Sequence, residues 1–290
     1  MLNAMTVDVE DYFHVAAFAH VIPRSDWDSR ELRVEGNTAR LVDLFAEHRI
    51  RATFFVLGWV ARKVPALVRR LHDAGHEVAS HGMSHTLVYR QSPQEFRAET
   101  RESKALLEDL IGCRVRGYRA ASYSVTPKSR WALDVLVEEG FEYDSSIFPV
   151  RHDRYGMPDA GRHPGPVNTP LGRSLLEFPL TTCEIAGVRV PVAGGGYFRL
   201  LPYWLTRWGL GDVNRRESAP FVFYLHPWEI DAGQPDIAAG AISRFRHYTN
   251  IDRCETRLKR LVREFRFGAM EDVLTENGLL APAVRSVAEA

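Results

Sequence analysis

Three short segments place ionisable residues where apolar runs end. The first is Thr6-Val7-Asp8-Val9-Glu10-Asp11. Its three carboxylates within four residues repel one another and are costly to bury without a cation or a proton; a strand running into a solvated acidic turn gives the same pattern. The second is Ser80-His81-Gly82-Met83-Ser84-His85. Histidines four apart can aim both imidazoles at one centre if the segment takes a helical turn. Two histidines with one carboxylate form a recurring hydrolytic site for zinc, iron and other divalent ions, and two unrelated surface histidines are the plainer alternative. The third is His226, between Phe221-Val-Phe-Tyr-Leu225 and Pro227-Trp228-Glu229. There a histidine is placed to donate protons near neutral pH, or is simply hydrogen-bonded at a rim. His14, His20, His48, His72, His76, His152, His163 and His247 have no such company and read as surface or structural residues.

Positioning these groups needs strands that alternate with helices. Ser92-Pro93-Gln94-Glu95 spells a capping box with proline in the first turn, opening a helix through Leu106 and Leu110 that stops at Gly112. Thr126-Pro127 precedes a second helix around Trp131–Leu136, with Gly140 as its stop. Asn37 caps Thr38–Glu47, and Pro65–Ala74 ends at Gly75. Between them Met5–Val9, Ala52–Val56, Glu77–Ser80, Gly117–Arg119 and Tyr143-Asp144 read as buried strands, followed by Leu176–Pro179, Val188–Val192 and Phe221–Leu225. Such alternation predicts parallel βαβ units, an α/β barrel or open sheet whose reactive groups collect at the carboxyl ends of strands. The proline- and glycine-rich stretch Arg151–Gly172 reads as a long loop, Arg244–Gly268 as one amphipathic helix, and Ala281–Ala290 as a frayed tail.

Composition narrows the function classes. The chain has 290 residues, 37 Lys+Arg against 37 Asp+Glu, 45% hydrophobic and 26% charged residues. These values exclude disordered and collagen-like classes, and zero net charge gives no electrostatic reason for a nucleic-acid partner. No apolar run approaches the ~20 residues of a transmembrane helix. The start Met1-Leu-Asn-Ala-Met-Thr lacks a secretory pattern, so a cytoplasmic protein is expected. Cys113, Cys183 and Cys254 are odd in number and widely spaced, which implies neither a disulfide framework nor a cysteine zinc site.

Taken in order, Thr6-Val-Asp-Val-Glu-Asp, Ser80-His-Gly-Met-Ser-His, Arg119-Ala-Ala-Ser-Tyr-Ser, Asp144-Ser-Ser-Ile-Phe-Pro and Tyr224-Leu-His226-Pro-Trp-Glu resemble the five motifs of the polysaccharide deacetylases (NodB homology, carbohydrate esterase family four). Gly194-Gly-Gly-Tyr-Phe-Arg199 and Phe245-Arg-His-Tyr-Thr-Asn-Ile-Asp-Arg resemble the branch found at exosortase (PEP-CTERM) exopolysaccharide loci. The resemblance implies an α/β fold, a distorted (β/α)7-type barrel over residues 1–231, with 232–290 as a helical extension packed on the same domain. It implies one divalent ion, zinc, held by His81, His85 and an acid. Asp8 matches the general base, Arg119 the arginine orienting it, His226 the general acid and Asp144 the aspartate supporting that histidine. The family's adjacent aspartates are separated here, so the metal acid is Asp11 or Glu10, with Asp11 favoured on residue type. Ala120 and Ala121 replace the usual proline after the arginine, leaving the N–H of Tyr123 as an oxyanion donor. Tyr224 replaces a leucine in the fifth motif. Tyr123, Tyr197 and Trp228 are the expected substrate-binding aromatics. The implied activity is removal of N-acetyl groups from amino sugars of a polysaccharide or lipid-linked precursor, in the cytoplasm or at the inner membrane face. A same-fold hydrolase of a cyclic ureide or O-acetyl xylan, or a non-catalytic carbohydrate-binding protein, are the alternatives.

Overall fold

The structure is a computed structural model describing residues 1–152 and 155–282. The expected tail lies mostly outside them. Strands β1 (Leu2–Val9), β2 (Thr53–Val56), β3 (Glu77–Ser80), β4 (Gly117–Tyr118), β5 (Tyr143–Asp144), β6 (Gly165–Asn168), β7 (Ser174–Glu177), β8 (Thr182–Ile185), β9 (Val188–Pro191), β10 (Val222–Leu225) and β11 (Arg266–Gly268) follow in chain order. Seven of them pair in parallel in the order β10-β1-β2-β3-β4-β5-β7. β6 adds antiparallel to β7, β11 pairs in parallel with the first residues of β1, and β8–β9 is a separate hairpin. Closure between β7 and β10 is irregular: Val222 N donates to Thr181 Oγ1 (2.8 Å), Tyr224 N to Ala193 O (2.8 Å), and Gly194 bridges Tyr224. A Cβ on Gly194 would lie 1.9 Å from the Tyr224 carbonyl oxygen, so only glycine lets the chain press against β10 here. The barrel is therefore a distorted one.

Strand alternation sorts the side chains into two layers. Met5, Val7, Val9, Phe54, Val56, Val78, Phe221, Phe223 and Leu225 pack outward under the helices, while Ala4, Phe55, Ala79, Tyr143, Val222 and Tyr224 fill the interior. A Cβ on Gly117 would sit 2.1 Å from the Tyr143 ring; that glycine makes room for the tyrosine.

The helices are α1 (Val34–Glu47), α2 (Gly58–Lys63), α3 (Pro65–Asp73), α4 (Pro93–Ile111), α5 (Trp131–Glu138), α6 (Gly195–Leu200), α7 (Tyr203–Arg215), α8 (Ala241–Tyr248), α9 (Ile251–Glu264) and α10 (Met270–Glu276). The capping box forms as expected on α4: Glu95 N donates to Ser92 Oγ and Ser92 N to Glu95 Oε2, with left-handed Gly112 at the end. Three expectations are corrected. Asn37 does not cap α1; it lies within the helix, and Asp11 receives the N–H groups of Arg33 and Val34 (2.7 and 2.8 Å), a long-range cap that local sequence does not reveal. The loop 151–172 contains β6, whose pairing partner comes later in the chain. The helix read over 244–268 breaks at Thr249 and left-handed Asn250 and finishes in β11, because its last residues complete the β1 ladder. Among the described residues, no helix is long and apolar enough to cross a membrane.

Candidate metal-centred active site

Alternation carries Asp8 into the barrel at the carboxyl end of β1, and Glu10 follows on the same side. Asp8 is buried, its Oδ1 receiving Arg119 Nη1 (2.7 Å) and its Oδ2 the Tyr123 hydroxyl (3.2 Å). Arg119, fully buried just beyond β4, also donates to Thr6 Oγ1 (2.8 Å), the Ser145 carbonyl (3.2 Å) and Ser145 Oγ (3.0 Å). Its guanidinium lies 4.0 Å from the centroid of Phe55. This satisfied cation holds Asp8 in one orientation.

His81 follows β3 and uses Nδ1 on the Arg119 carbonyl (2.9 Å). A carbonyl only accepts, so Nδ1 bears the proton and Nε2 is left with a free lone pair. Burial lowers the His81 pKa to about 4, so the ring is neutral, as a ligand must be. His85 reaches the same centre without a helical turn, the condition that the spacing alone suggests. Gly82 (φ 75°) and His85 (φ 55°) are left-handed, and the carbonyls of Gly82 and Met83 instead receive the first N–H groups of α2. A Cβ on Gly58 would meet Met83 Sδ at 2.3 Å, so a glycine is needed where this loop lies on α2.

The carboxylate that joins them is Glu10. One ligand atom from each of Glu10, His81 and His85 falls within 4.8 Å of the others. Glu10 Oε2 and His85 Nε2 face each other at 3.1 Å without forming a hydrogen bond, both buried and otherwise unpartnered. Burial raises the Glu10 pKa, but the nearby rings of His85, His226 and His81 outweigh it and hold the carboxyl well below its usual range. An anionic oxygen and one imidazole nitrogen left unsatisfied, with the ring of a second histidine beside them, suit a divalent cation. Asp11, the favoured alternative, is elsewhere: one residue past Glu10 the alternation turns it outward, where it accepts N–H groups of Tyr12, Arg33 and Val34.

His226 closes the site from β10. Its Nε2 lies 3.1 Å from Glu10 Oε1 and 3.9 Å from Asp8 Oδ2, and its Nδ1 lies 2.8 Å from Glu229 Oε1. Burial lowers the His226 pKa, yet its bonds to Glu10 and Glu229 dominate and push it up to about 10. Asp144, expected beside this histidine, is not there. Tyr143 takes the inward position on β5, so Asp144 faces outward, accepting from Ser146 Oγ (2.5 Å) and pairing with Glu177 on β7. Burial raises both carboxyls of that pair.

The three expected aromatics also have other partners. Tyr123 spends its N–H on the Ala120 carbonyl (3.0 Å) and its hydroxyl on Asp8, so that N–H is not a free oxyanion donor. Trp228 is 5% exposed, its indole stacked with the rings of His226 and His247 under Arg199, because α8 covers it. Tyr197 is half-buried, its hydroxyl 2.9 Å from that of Tyr155. Glu229 and Arg199 stand in motifs quoted from the sequence, but sequence reasoning gave neither a role. Proline and a glutamate three residues after His226 carried a capping-box signal for the first; nothing local marked the second.

Residues 26–137 match the family model described as polysaccharide deacetylase, and residues 145–275 match a domain of unknown function, DUF3473. The chain is 52% identical over 100 residues to a chitooligosaccharide deacetylase of Sinorhizobium fredii, a stretch covering 34% of this chain and 44% of that protein. It thus spans less than half the length of that curated relative. Among solved structures, a protein of Mycobacterium smegmatis assigned to the polysaccharide deacetylases superposes with a TM-score of 0.59 at 19% identity, covering 100% of this chain and 94% of the other. The Puue allantoinase superposes with a TM-score of 0.60 at 16% identity, covering 97% and 91%. Both share the fold.

Proposed function

We propose that this chain, whose residues 26–137 match the polysaccharide deacetylase family model, is a metal-dependent hydrolase removing N-acetyl groups from amino sugars of a polysaccharide or its lipid-linked precursor, with release of acetate. The observation that carries this reading is the convergence of Glu10, His81 and His85 beside Asp8 and His226. Residues 1–231 and the helices after them serve as one catalytic unit. Relatives of this chain include deacetylases of chitooligosaccharides and of peptidoglycan N-acetylglucosamine, which supports an N-acetylated saccharide as substrate. The motifs of the exosortase branch favour an exopolysaccharide, handled in the cytoplasm or at the inner membrane face.

Glu10, His81 and His85 would hold the ion, zinc in this proposal; a divalent cation bound there supplies Lewis-acid polarisation of the acetyl carbonyl and acidifies water. Asp8 acts as the base. Arg119 and Tyr123 occupy its flanks and orient it, and it accepts one proton from the attacking water as the oxygen–carbon bond forms. The carbon–nitrogen bond then breaks while His226 passes the proton on Nε2 to the departing amine. Acetic acid, which ionises to acetate, and a free amino sugar result; Asp8 then holds the proton taken from water, and His226 lacks the one given to the amine. Acetate release from N-acetylated oligosaccharides by zinc-loaded protein, beside O-acetyl xylan and a cyclic ureide, tests the reading. Turnover of the ureide or the ester alone would overturn it.

A further inference from the structure

We propose that Glu229 and Arg199 are the positioning pair for His226, and that through them α8 and α9 become part of the reactive centre. The proposal rests on the hydrolase reading above. Glu229 grips the histidine at two points: its Oε1 lies 2.8 Å from ring Nδ1 and 3.1 Å from the backbone nitrogen of His226. Holding both backbone and ring with one oxygen leaves the imidazole little freedom to swing. The Arg199 guanidinium keeps the Glu229 carboxyl ionised, down at about 2 against the effect of burial. An ionised carboxylate only accepts, so Nδ1 bears a proton and Nε2 is the edge turned to Glu10 and Asp8.

Arg199 fixes the glutamate in turn. Its Nε donates to Glu229 Oε2 (2.7 Å), Nη1 to the carbonyls of His247 (2.7 Å) and Thr249 (3.0 Å), and Nη2 to that of Arg246 (3.0 Å). Those carbonyls sit at the end of α8, where helical carbonyls lack intrahelical partners and carry the negative end of the dipole. Arg257 of α9 binds the carbonyls of Phe198, Arg199 and Leu201, tying the arginine's own backbone to the same helices. The ring face is supported as well, since Trp228 stacks with His226 (5.1 Å) and His247 with Trp228 (4.3 Å). Glu229 and Arg199 are both fully buried, so each neutralises a charge that would otherwise be buried alone. Every member of this support lies in the part of the chain that matches the domain of unknown function.

The test combines kinetics with nitrogen-15 NMR of the histidine rings, the His226 signals being assigned by their loss in His226→Gln. In the unmutated protein as purified, a proton on His226 Nδ1 is expected; a ring protonated on Nε2 alone would overturn the proposal. Glu229→Gln should lower kcat about 10–100-fold with KM within about twofold and metal content unchanged. Arg199→Met should do likewise, and the double variant should be no slower than the worse single. A Glu229→Gln protein with full metal and kcat within threefold of the parent would refute the pair. If Glu229→Gln does not fold, Arg199→Lys, which keeps charge but loses the fork, is held to the same standard. Absence of acetate release by the unmutated protein would instead sink the hydrolase reading, and the NMR result alone then decides the positioning role.

Discussion

At the end of the barrel where strands finish, Glu10 keeps an oxygen with no hydrogen-bond partner beside two histidines. At the end where strands begin, Glu77 is just as buried, yet both its oxygens are occupied: Thr53 Oγ1 at 2.5 Å, the Tyr143 hydroxyl at 2.7 Å and the Glu271 N–H at 3.1 Å. Glu271 is itself paired with Arg51 and Arg116. Burial of a carboxylate therefore does not separate a reactive group from a structural one. The separating feature is whether lone pairs are left over, and next to what.

The largest effects should come from removing the leftover donors. Glu10→Gln and His81→Ala should each lose the bound ion by metal analysis and cut acetate release about a thousandfold, the scale of several kcal/mol of charge stabilisation. A loaded, active Glu10→Gln protein would erase the contrast between the two ends. Next comes Arg119→Met, which strands Asp8 in the barrel. Denaturant melts should show a loss of about 3–5 kcal/mol, with activity falling about a hundredfold as the base is disoriented.

Two further substitutions sharpen the comparison. Glu77 is pushed up to about 7 by burial and by the charge of Glu271. A raised carboxyl means that the folded protein holds the proton more tightly than the unfolded chain, so stability present below about pH 4.5 declines as pH rises through about 7. Glu77→Gln should flatten that decline in denaturant midpoints measured at pH 5 and pH 8, leaving metal binding intact. The smallest effect belongs to Asp11→Asn, which should cost about 1 kcal/mol through the weakened cap of α1 while retaining one ion per chain. Loss of the ion would restore Asp11 as a ligand.

Much of this was legible in residue order, because reactive groups at strand ends announce themselves: Asp8, His81, Arg119 and His226 each follow an apolar run. Glu10 was also readable in principle. Alternation continued two steps past Asp8 brings Glu10, not Asp11, to the inner side, and the same alternation from Tyr143 turns Asp144 out. Residue type, for Asp11, and the motif match, for Asp144, were the weaker guides. What no local pattern exposes is pairing at long range: Asp11 capping a helix 23 positions on, Arg199 reaching carbonyls near residue 247, and β6 hidden in a loop until β7 arrives.

The first strand of the chain is among the last to be completed. β1 borders β2 early, but its other edge stays open until residues 222–225 arrive, and the start of its β2-side edge is covered only when residues 266–268 pair there, Ala4 then lying between Val222 and Gly268. During synthesis, the segment bearing Asp8 and Glu10 must wait, one side unpaired, until residues 222–225 have emerged. Such distant closures slow folding and leave an edge open to wrong partners. In return, a fragment ending before residue 222 lacks His226 and its supports, so the proposed site is assembled only once residues 222–268 have joined the barrel.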